Sequence, residues 1–458
     1  MTEGPILKKL VRFMLPLCII NVVQMLYNAI DVAILGNFGG DDAVAAVGAA
    51  GSLSYILTGL FQGLGGGVNV VVSRAVGAKD IDRARRATGT ALLTGIICGC
   101  ILLAVVMPMA PTLLTWMNCD PEVLDLSVLY MRVLFLSMPL NMLYNFVASA
   151  IRATGNCTRP MMIMLISGAG KVGFNFLLVG GFKMGVVGAA LSSVLSMTIA
   201  FSLVLFTIIR TKDAPYTLER KNLRIRGDLL KNMVRFGLPG GVSSMCFYAA
   251  NAVIQTAVNS MGKTVMAANT VASQFDSIIY TVGTAIAIST MAFVGQNMGA
   301  RKPDRIKKVV GVAIVLATVI SLTMGVIFVA FSDQLCGTIT DSPEVIEIAK
   351  TRMTLLCLTY FTSSIMEVLA VSLSSMGHYK NHLAVGITCG LGARVLWVKL
   401  FWPMFGTLFG LYLSFPVSNL LAIAEYATVF LISIPRLKAK FAKEDAEKAL
   451  KEAQSLQS

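Results

Sequence analysis

Asp31 is the residue with the clearest capacity for chemistry, because it is an aspartate inside a long apolar stretch. A charged side chain at membrane depth is costly and is retained where it faces a partner or a polar pathway. A carboxylate in that position can take up and release a proton or a hard cation such as Na⁺. We therefore predict that Asp31 exchanges H⁺ or Na⁺; the alternative is a structural aspartate held by hydrogen bonds.

Polar residues in other apolar stretches extend the set of candidates. Asn145 and Tyr130 offer oxygen atoms that could complete a cation site, although structural hydrogen bonding would explain them equally well. Four ionisable residues are candidates for a substrate cavity or a proton relay: Lys171, Asp276, Glu367 and Arg394. Glu367 and Arg394 are also placed to form a buried ion pair between neighbouring helices, which is the simpler interpretation.

The sequence lacks motifs for enzymatic chemistry. Neither a G-x-S-x-G nor an H-E-x-x-H pattern occurs. The two histidines, His378 and His382, make a poor metal site by themselves. The glycine-rich segment 63–67 lacks the Gly-Lys-Ser/Thr ending of a phosphate-binding loop and indicates close helix packing instead. We therefore predict a protein without enzymatic activity, cofactor or structural metal.

The composition places these residues in a membrane. Of the 458 residues, 56% are hydrophobic and 14% are charged, against about 25% charged residues in an average soluble domain. The mean hydropathy is +0.75. Apolar stretches of about 20 residues, the length of a membrane-crossing helix, recur at 13–36, 44–73, 88–116, 127–151, 160–181, 185–209, 233–258, 266–295, 309–332, 348–376, 383–401 and 409–434. We predict an all-α polytopic membrane protein with twelve transmembrane helices.

The basic residues predict the orientation of these helices. Most of the 38 Lys and Arg fall in the two tails and in the loops that follow even-numbered helices. Basic loops remain cytoplasmic, so both termini of this multi-pass protein are predicted on the cytoplasmic side of the plasma (inner) membrane. The net charge of +14 follows from this topology, and a nucleic-acid partner is not expected.

Short motifs of the first half return in the second at a spacing of about 222 residues. The pairs are Val11–Pro16 with Val234–Pro239, Gly77–Arg83 with Gly299–Arg305, and Gly155 with Gly377. Each half has six helices, an even number, so the two lobes share one orientation and are related by a parallel pseudo-two-fold repeat. Two such lobes suit transport by alternating access around a cavity between them.

The repeat and the charges predict four segments. These are an N-terminal lobe at 1–209, a basic cytoplasmic linker at 210–232, a C-terminal lobe at 233–434 and a charged cytoplasmic tail at 435–458.

Several motifs resemble the multidrug and toxic compound extrusion (MATE) family: Leu15–Pro16, Tyr27–Asp31, Ala45–Gly48, Val72–Ala78 and Arg152–Asn156. The resemblance extends over residues 5–435. Within the family, the chain looks closer to the branch named for a DNA-damage-inducible protein, because Phe247 stands where the norfloxacin-exporting branch has a Glu in helix seven.

The resemblance implies a secondary active antiporter for multidrug efflux, which exports amphipathic and often cationic organic compounds in exchange for H⁺ or Na⁺. It implies that Asp31 and Asn175 take part in cation coupling and that Pro16 kinks helix one and acts in gating. Val179 stands where the family often has a second Asp, so a site with two carboxylates is not implied.

Two alternatives of other kinds remain open. A flippase or exporter of lipid-linked saccharides, from a related transporter family, would have a strongly cationic cavity, and few Lys or Arg lie within the apolar stretches. An integral membrane enzyme would need a cluster of catalytic side chains at one membrane face, which the sequence does not offer. We expect small organic cations or amphiphiles and the lipid bilayer as partners, and a monomer.

Overall fold

The structure is a computed structural model that describes residues 1–39, 41–116 and 121–457. Among these residues there is no strand, and helices occupy all twelve predicted apolar stretches. The bounds are α1 Ile6–Gly39, α2 Asp41–Gly77, α3 Ile81–Trp116, α4 Pro121–Phe135 with Met138–Ala153, α5 Thr158–Gly181, α6 Gly185–Arg210, α7 Gly227–Asn259, α8 Lys263–Gly299, α9 Pro303–Ala330, α10 Pro343–Met376, α11 Tyr379–Phe405 and α12 Leu408–Tyr412 with Ser414–Gln457. The predicted all-α polytopic fold is confirmed.

The length and apolarity of these helices suit a bilayer. Nine helices within the described ranges can cross a membrane, and α4, which bends by 46° between its two parts, makes a tenth span. The bend lies at Ser137, just before a proline in the first turn of the second part, and prolines are a common cause of kinks. The other two long helices are α2, with 37 residues, and α7, with 33 residues.

The backbone conformation repeats along with the sequence. Gly155 follows α4 with φ of 104°, and Gly377 follows α10 with φ of 109°. Glycine adopts this left-handed conformation without a steric penalty. Lys79 and Arg301 likewise follow α2 and α8 with φ of 61° and 55°. The internal repeat inferred from the sequence is therefore visible in local structure at equivalent loops.

The chain folds into two compact units. One unit contains Arg12–Val76 and Asp80–Met245, and the other contains Met1–Val11, Gly77–Lys79 and Cys246–Ser458. We call them the first and the second unit. The chain passes between them inside α1 and α7, at Val11–Arg12 and Met245–Cys246, and again at either end of Gly77–Lys79.

Each unit has its own apolar core. In the first unit, Leu35 of α1, Phe135 of α4 and Val179 of α5 belong to one buried cluster. In the second unit, Phe275 of α8 and Met353 of α10 belong to another. Since lipid tails are as apolar as these side chains, close packing of helix against helix, and not transfer out of water, stabilises such cores.

The linker predicted at 210–232 is packed against the first unit. Tyr216 is buried, and Arg159 donates a hydrogen bond to its hydroxyl at 2.7 Å. Arg85 forms an ion pair with Glu219 at 2.8 Å. The linker is therefore a folded part of the first unit and not a flexible connection.

Glycines bring α2 and α7 into close contact within the first unit. A Cβ atom on Gly63 would overlap the backbone of Gly241, and one on Gly67 would overlap the carbonyl oxygen of Met233. Small residues permit this approach of helix backbones in membranes. The prediction of close helix packing at this glycine-rich segment is confirmed.

Gly67→Ala is expected to lower the free energy of unfolding by about 1–3 kcal/mol, because the added methyl group must push α2 away from α7. Gly48→Ala is the matched control on the same helix, since a Cβ atom there meets no atom within 4 Å; it should stay within about 0.5 kcal/mol. Thermal unfolding of the purified proteins in detergent measures both. Equal melting temperatures for Gly67→Ala and the unaltered chain would contradict the packing.

Candidate cation-coupling site

Asp31 meets two side chains of α5 within the first unit. The Lys171 ammonium forms an ion pair with Asp31 Oδ2. Asn175 Nδ2 donates a hydrogen bond to Asp31 Oδ1 at 2.9 Å. Lys171 and Asn175 are four residues apart and therefore share one face of α5, which presents both to the same carboxylate. The side chains of Asp31 and Lys171 are 18% and 20% exposed, so the pair is shielded but still reachable.

Tyr27 holds α1 close to α5 one turn before Asp31. Its hydroxyl donates a hydrogen bond to the carbonyl oxygen of Leu165 at 3.2 Å. Its ring lies against Gly168, where any Cβ atom would overlap it. These contacts fix the spacing of the two helices at the depth where Asp31 reaches Lys171.

Asn175 stands at a change in helix geometry. It is fully buried, and the π-helical segment Phe176–Gly181 follows directly. Single π turns are frequent at functional sites. Asn175 Oδ1 accepts no hydrogen bond in the part of the chain that the structure describes, so the site retains one buried acceptor oxygen beside the carboxylate. Val179, at the position of the family's second Asp, is buried in an apolar cluster.

The structure shows no hydrogen bond between Asn145 and Asp31, Lys171 or Asn175 within the described residues. Within the described residues, Asn145 donates both of its hydrogen bonds to Asn141, one turn away on α4. Tyr130 is 9% exposed and packs in the apolar cluster that contains Ile34 and Leu35 of α1. Cation ligation by Asn145 or Tyr130 stays a prediction.

Pro16 lies inside α1, and the helix continues on both sides of it. Proline removes one backbone hydrogen bond and clashes with the carbonyl four residues earlier, here that of Arg12. The chain passes from the second unit to the first at Val11–Arg12, so α1 is weakened at that passage. A gating role for Pro16 stays a prediction.

Asp276 is neutralised by an arginine in the second unit. Arg352 of α10 donates to Asp276 Oδ2 through Nη2 at 2.7 Å and through Nε at 3.1 Å. Arg352 Nη1 also donates to Asn269 Oδ1. The Tyr412 hydroxyl donates to the same oxygen at 2.7 Å, and the Tyr412 ring centroid lies 5.0 Å from the guanidinium. Both charged side chains are buried, so this polar cluster ties α8, α10 and α12 together.

Arg352 was missed from the sequence, although two signals pointed to it. It is an arginine within an apolar helix, and Asp276 is a carboxylate at membrane depth that needs a partner.

The predicted ion pair between Glu367 and Arg394 is wrong. Arg394 is 1% exposed and donates instead to three neutral oxygens: Ser418 Oγ and Asn251 Oδ1, each at 3.1 Å, and Asn419 Oδ1 at 3.4 Å. The guanidinium also lies 4.9 Å from the Phe247 ring centroid and 4.6 Å from that of Phe415. Amide dipoles and aromatic faces compensate this cation, and no carboxylate of the described residues pairs with it.

Glu367 lies elsewhere on α10. It is half-buried, and no ion pair involves it in the described ranges. Its role in a cavity or relay stays a prediction.

Among the residues that the structure describes, no cluster of three or more His, Cys, Asp or Glu side chains could hold a metal ion.

Two tandem six-helix repeats with ionisable side chains inside their helices are typical of a membrane transporter. The family model described as MatE matches residues 16–177 and 239–396, one match in each repeat. The chain therefore belongs to the MATE family.

Curated relatives and solved structures agree with this assignment. The chain is 26% identical over 372 residues to the probable multidrug resistance protein YoeA of Bacillus subtilis (strain 168), with 80% of each chain covered. It is 22% identical over 351 residues to the multidrug export protein MepA of Staphylococcus aureus (strain MSSA476), with 76% of each covered.

A solved structure of a multidrug resistance MATE family transporter in an outward-facing conformation has the same fold. It matches with a TM-score of 0.88 and 22% identity, over 96% of this chain and 98% of that chain. A MATE crystallised in complex with MaL6 matches with a TM-score of 0.89, at 21% identity and the same coverage. The twelve-helix, two-lobe layout is thus the fold of solved transporters.

Proposed function

We propose that this protein exports amphipathic, often cationic organic compounds in exchange for H⁺ or Na⁺. The observation that carries the proposal is a carboxylate inside a membrane helix, Asp31 of α1, which is held by an ammonium and an amide of α5. Family membership and the similarity to the multidrug resistance protein YoeA and the multidrug export protein MepA support export of drugs as the activity.

The exchange acts through the attachment of α1 to α5. Ionised Asp31 binds Lys171 and Asn175 and draws the two helices together. A proton or Na⁺ on the carboxylate removes most of that attraction, so α1 can repack. A ligand shifts an equilibrium between two conformations only if it binds them with different affinities. The partners of the Asp31 carboxylate differ between attached and repacked α1, so its affinity for H⁺ or Na⁺ differs as well.

Alternating access of the lobes at 1–209 and 233–434 then moves substrate across the membrane. The protein works in this proposal as a monomer in the plasma (inner) membrane, with the linker at 210–232, the tail at 435–458 and both termini on the cytoplasmic side.

Efflux from liposomes tests the proposal. The purified protein is reconstituted with ethidium, and an inward H⁺ gradient or an inward Na⁺ gradient is imposed separately. At least one gradient should drive ethidium transport well above that of protein-free liposomes. Transport that is independent of both gradients would refute cation-coupled export.

A further inference from the structure

We propose that Lys171 is a tethered counter-cation that reserves Asp31 for protons and excludes Na⁺. This inference rests on the proposed function and narrows it, since it selects one of the two coupling ions. It is carried by the ion pair between Lys171 and Asp31 and by the lack of a second carboxylate at Val179.

The first step concerns the space in front of the carboxylate. Asp31 Oδ2 is bound by the Lys171 ammonium, and Oδ1 accepts from Asn175 Nδ2. Na⁺ would have to occupy the position that the ammonium already holds, because a hard cation binds to carboxylate oxygens directly. A cation attached to the same chain competes at a high effective concentration, so free Na⁺ must displace a partner that never diffuses away.

The second step concerns charge. The pair of Asp31 and Lys171 is neutral, and each side chain is about four-fifths buried. Na⁺ beside Lys171 would place two positive charges next to one negative charge in a poorly polarisable environment, where their repulsion is strong. A second carboxylate would offset it, but Val179 is fully buried in an apolar cluster and offers no oxygen.

The third step concerns ligand number. Hard cations need several oxygen atoms around them. Within the described part of the site, Asn175 Oδ1 is a buried side-chain oxygen that accepts no hydrogen bond, and the apolar side chain of Val179 adds no oxygen. Tyr27, one turn earlier on α1, donates its hydroxyl hydrogen to the carbonyl oxygen of Leu165, and Asn28 on the same turn is exposed.

A proton avoids all three obstacles. It bonds covalently to one Asp31 oxygen and needs no coordination shell. The other carboxyl oxygen still accepts a hydrogen bond from Lys171 or Asn175, so the ammonium keeps a polar partner while the charge attraction between α1 and α5 is lost. The proton is taken from the solution on one side and returned on the other, so no further reactant is needed.

Two measurements on the purified full-length protein test the role of Lys171. The first is ethidium efflux under separate H⁺ and Na⁺ gradients, in which the unaltered protein should respond to H⁺ alone. The second is thermal unfolding in NaCl against choline chloride at equal ionic strength, which reports Na⁺ binding without transport. The unaltered protein should show no Na⁺-specific shift.

Lys171→Met removes the charge and retains the length of the side chain. It should bind Na⁺ at Asp31 and show a Na⁺-specific rise in melting temperature of about 2–4 °C, which the further change Asp31→Asn should abolish. Lys399→Met is the matched control, because Lys399 is an exposed lysine in the span of α11; it should behave as the unaltered protein. If Lys171→Met does not fold, Lys171→Gln takes its place.

The outcomes separate this inference from the proposed function. A Na⁺ gradient that drives efflux by the unaltered protein, or an Asp31-dependent Na⁺ shift in it, overturns the role of Lys171 and leaves antiport intact. Folded Lys171 variants without a Na⁺ shift overturn it as well. Efflux that ignores both gradients refutes antiport, while the unfolding measurement still decides whether Lys171 blocks Na⁺.

Discussion

Asp31→Asn is expected to insert and fold but to reduce gradient-driven efflux to the level of protein-free liposomes. Asparagine has the size of aspartate and can still hydrogen-bond to Asn175, so the contacts between α1 and α5 at Tyr27 and Leu165 should persist. Asparagine cannot take up a proton or neutralise Lys171, so the site can no longer change between an ionised and a protonated state. Ethidium efflux and the amount of folded protein are measured together.

Two further variants of α1 make this result specific. Asn37→Ala is the control, because Asn37 is exposed and bonds to Ala33 of its own helix at 2.8 Å; it should transport normally. Asp31→Glu keeps the carboxylate and should retain part of the activity. Efflux at the unaltered rate in correctly folded Asp31→Asn would remove Asp31 from the coupling mechanism.

Arg352→Met is expected to lower the free energy of unfolding by about 3–5 kcal/mol, since it leaves the Asp276 carboxylate buried without a counter-ion. Asn269 and Tyr412 would also lose a charged partner in the same cluster. The combined change Arg352→Met with Asp276→Leu removes both charges and should recover much of the loss, because the cost arises from the unpaired charge. Thermal unfolding in detergent compares the stability of the unaltered protein, the single variant and the double variant.

Lys350→Met supplies the matched comparison two residues earlier on α10. Lys350 pairs with Asp333 at 2.8 Å, but their side chains are 33% and 67% exposed. Exposed pairs contribute about 0–1 kcal/mol, so this change should have little effect. If Arg352→Met were no more damaging than Lys350→Met, the Asp276 cluster would not stabilise the second unit.

The helices were predictable because lipid imposes a minimum apolar length on every span. Their ends were not, since polar turns continue a helix beyond the apolar stretch. α1 begins at Ile6, well before the predicted 13–36, and α7 begins at Gly227, before the predicted 233–258. Hydropathy detects the part of a helix inside the membrane and says little about its caps.

The candidate site was partly predictable for a related reason. A charge at membrane depth is conspicuous in a sequence, so Asp31, Lys171 and Asp276 were all identified as candidates. Which helix faces meet depends on packing, and there the sequence misled. Lys171 was predicted to line a cavity or act in a relay, which stays a prediction, and its contact with Asp31 was not predicted. Arg394 was paired with Glu367, whereas it binds three neutral side chains.

The packed linker determines where the chain can be divided into two polypeptides. Its contacts extend as far as Arg226, whose backbone N–H donates a hydrogen bond to Thr90 Oγ1 at 3.4 Å. A cut near Asp213, early in the loop, would strip the N-terminal fragment of Tyr216 and Glu219, which bind Arg159 and Arg85. A break after Arg226 would keep those contacts within the N-terminal fragment. Co-expressed halves that are divided at this position should therefore reassemble.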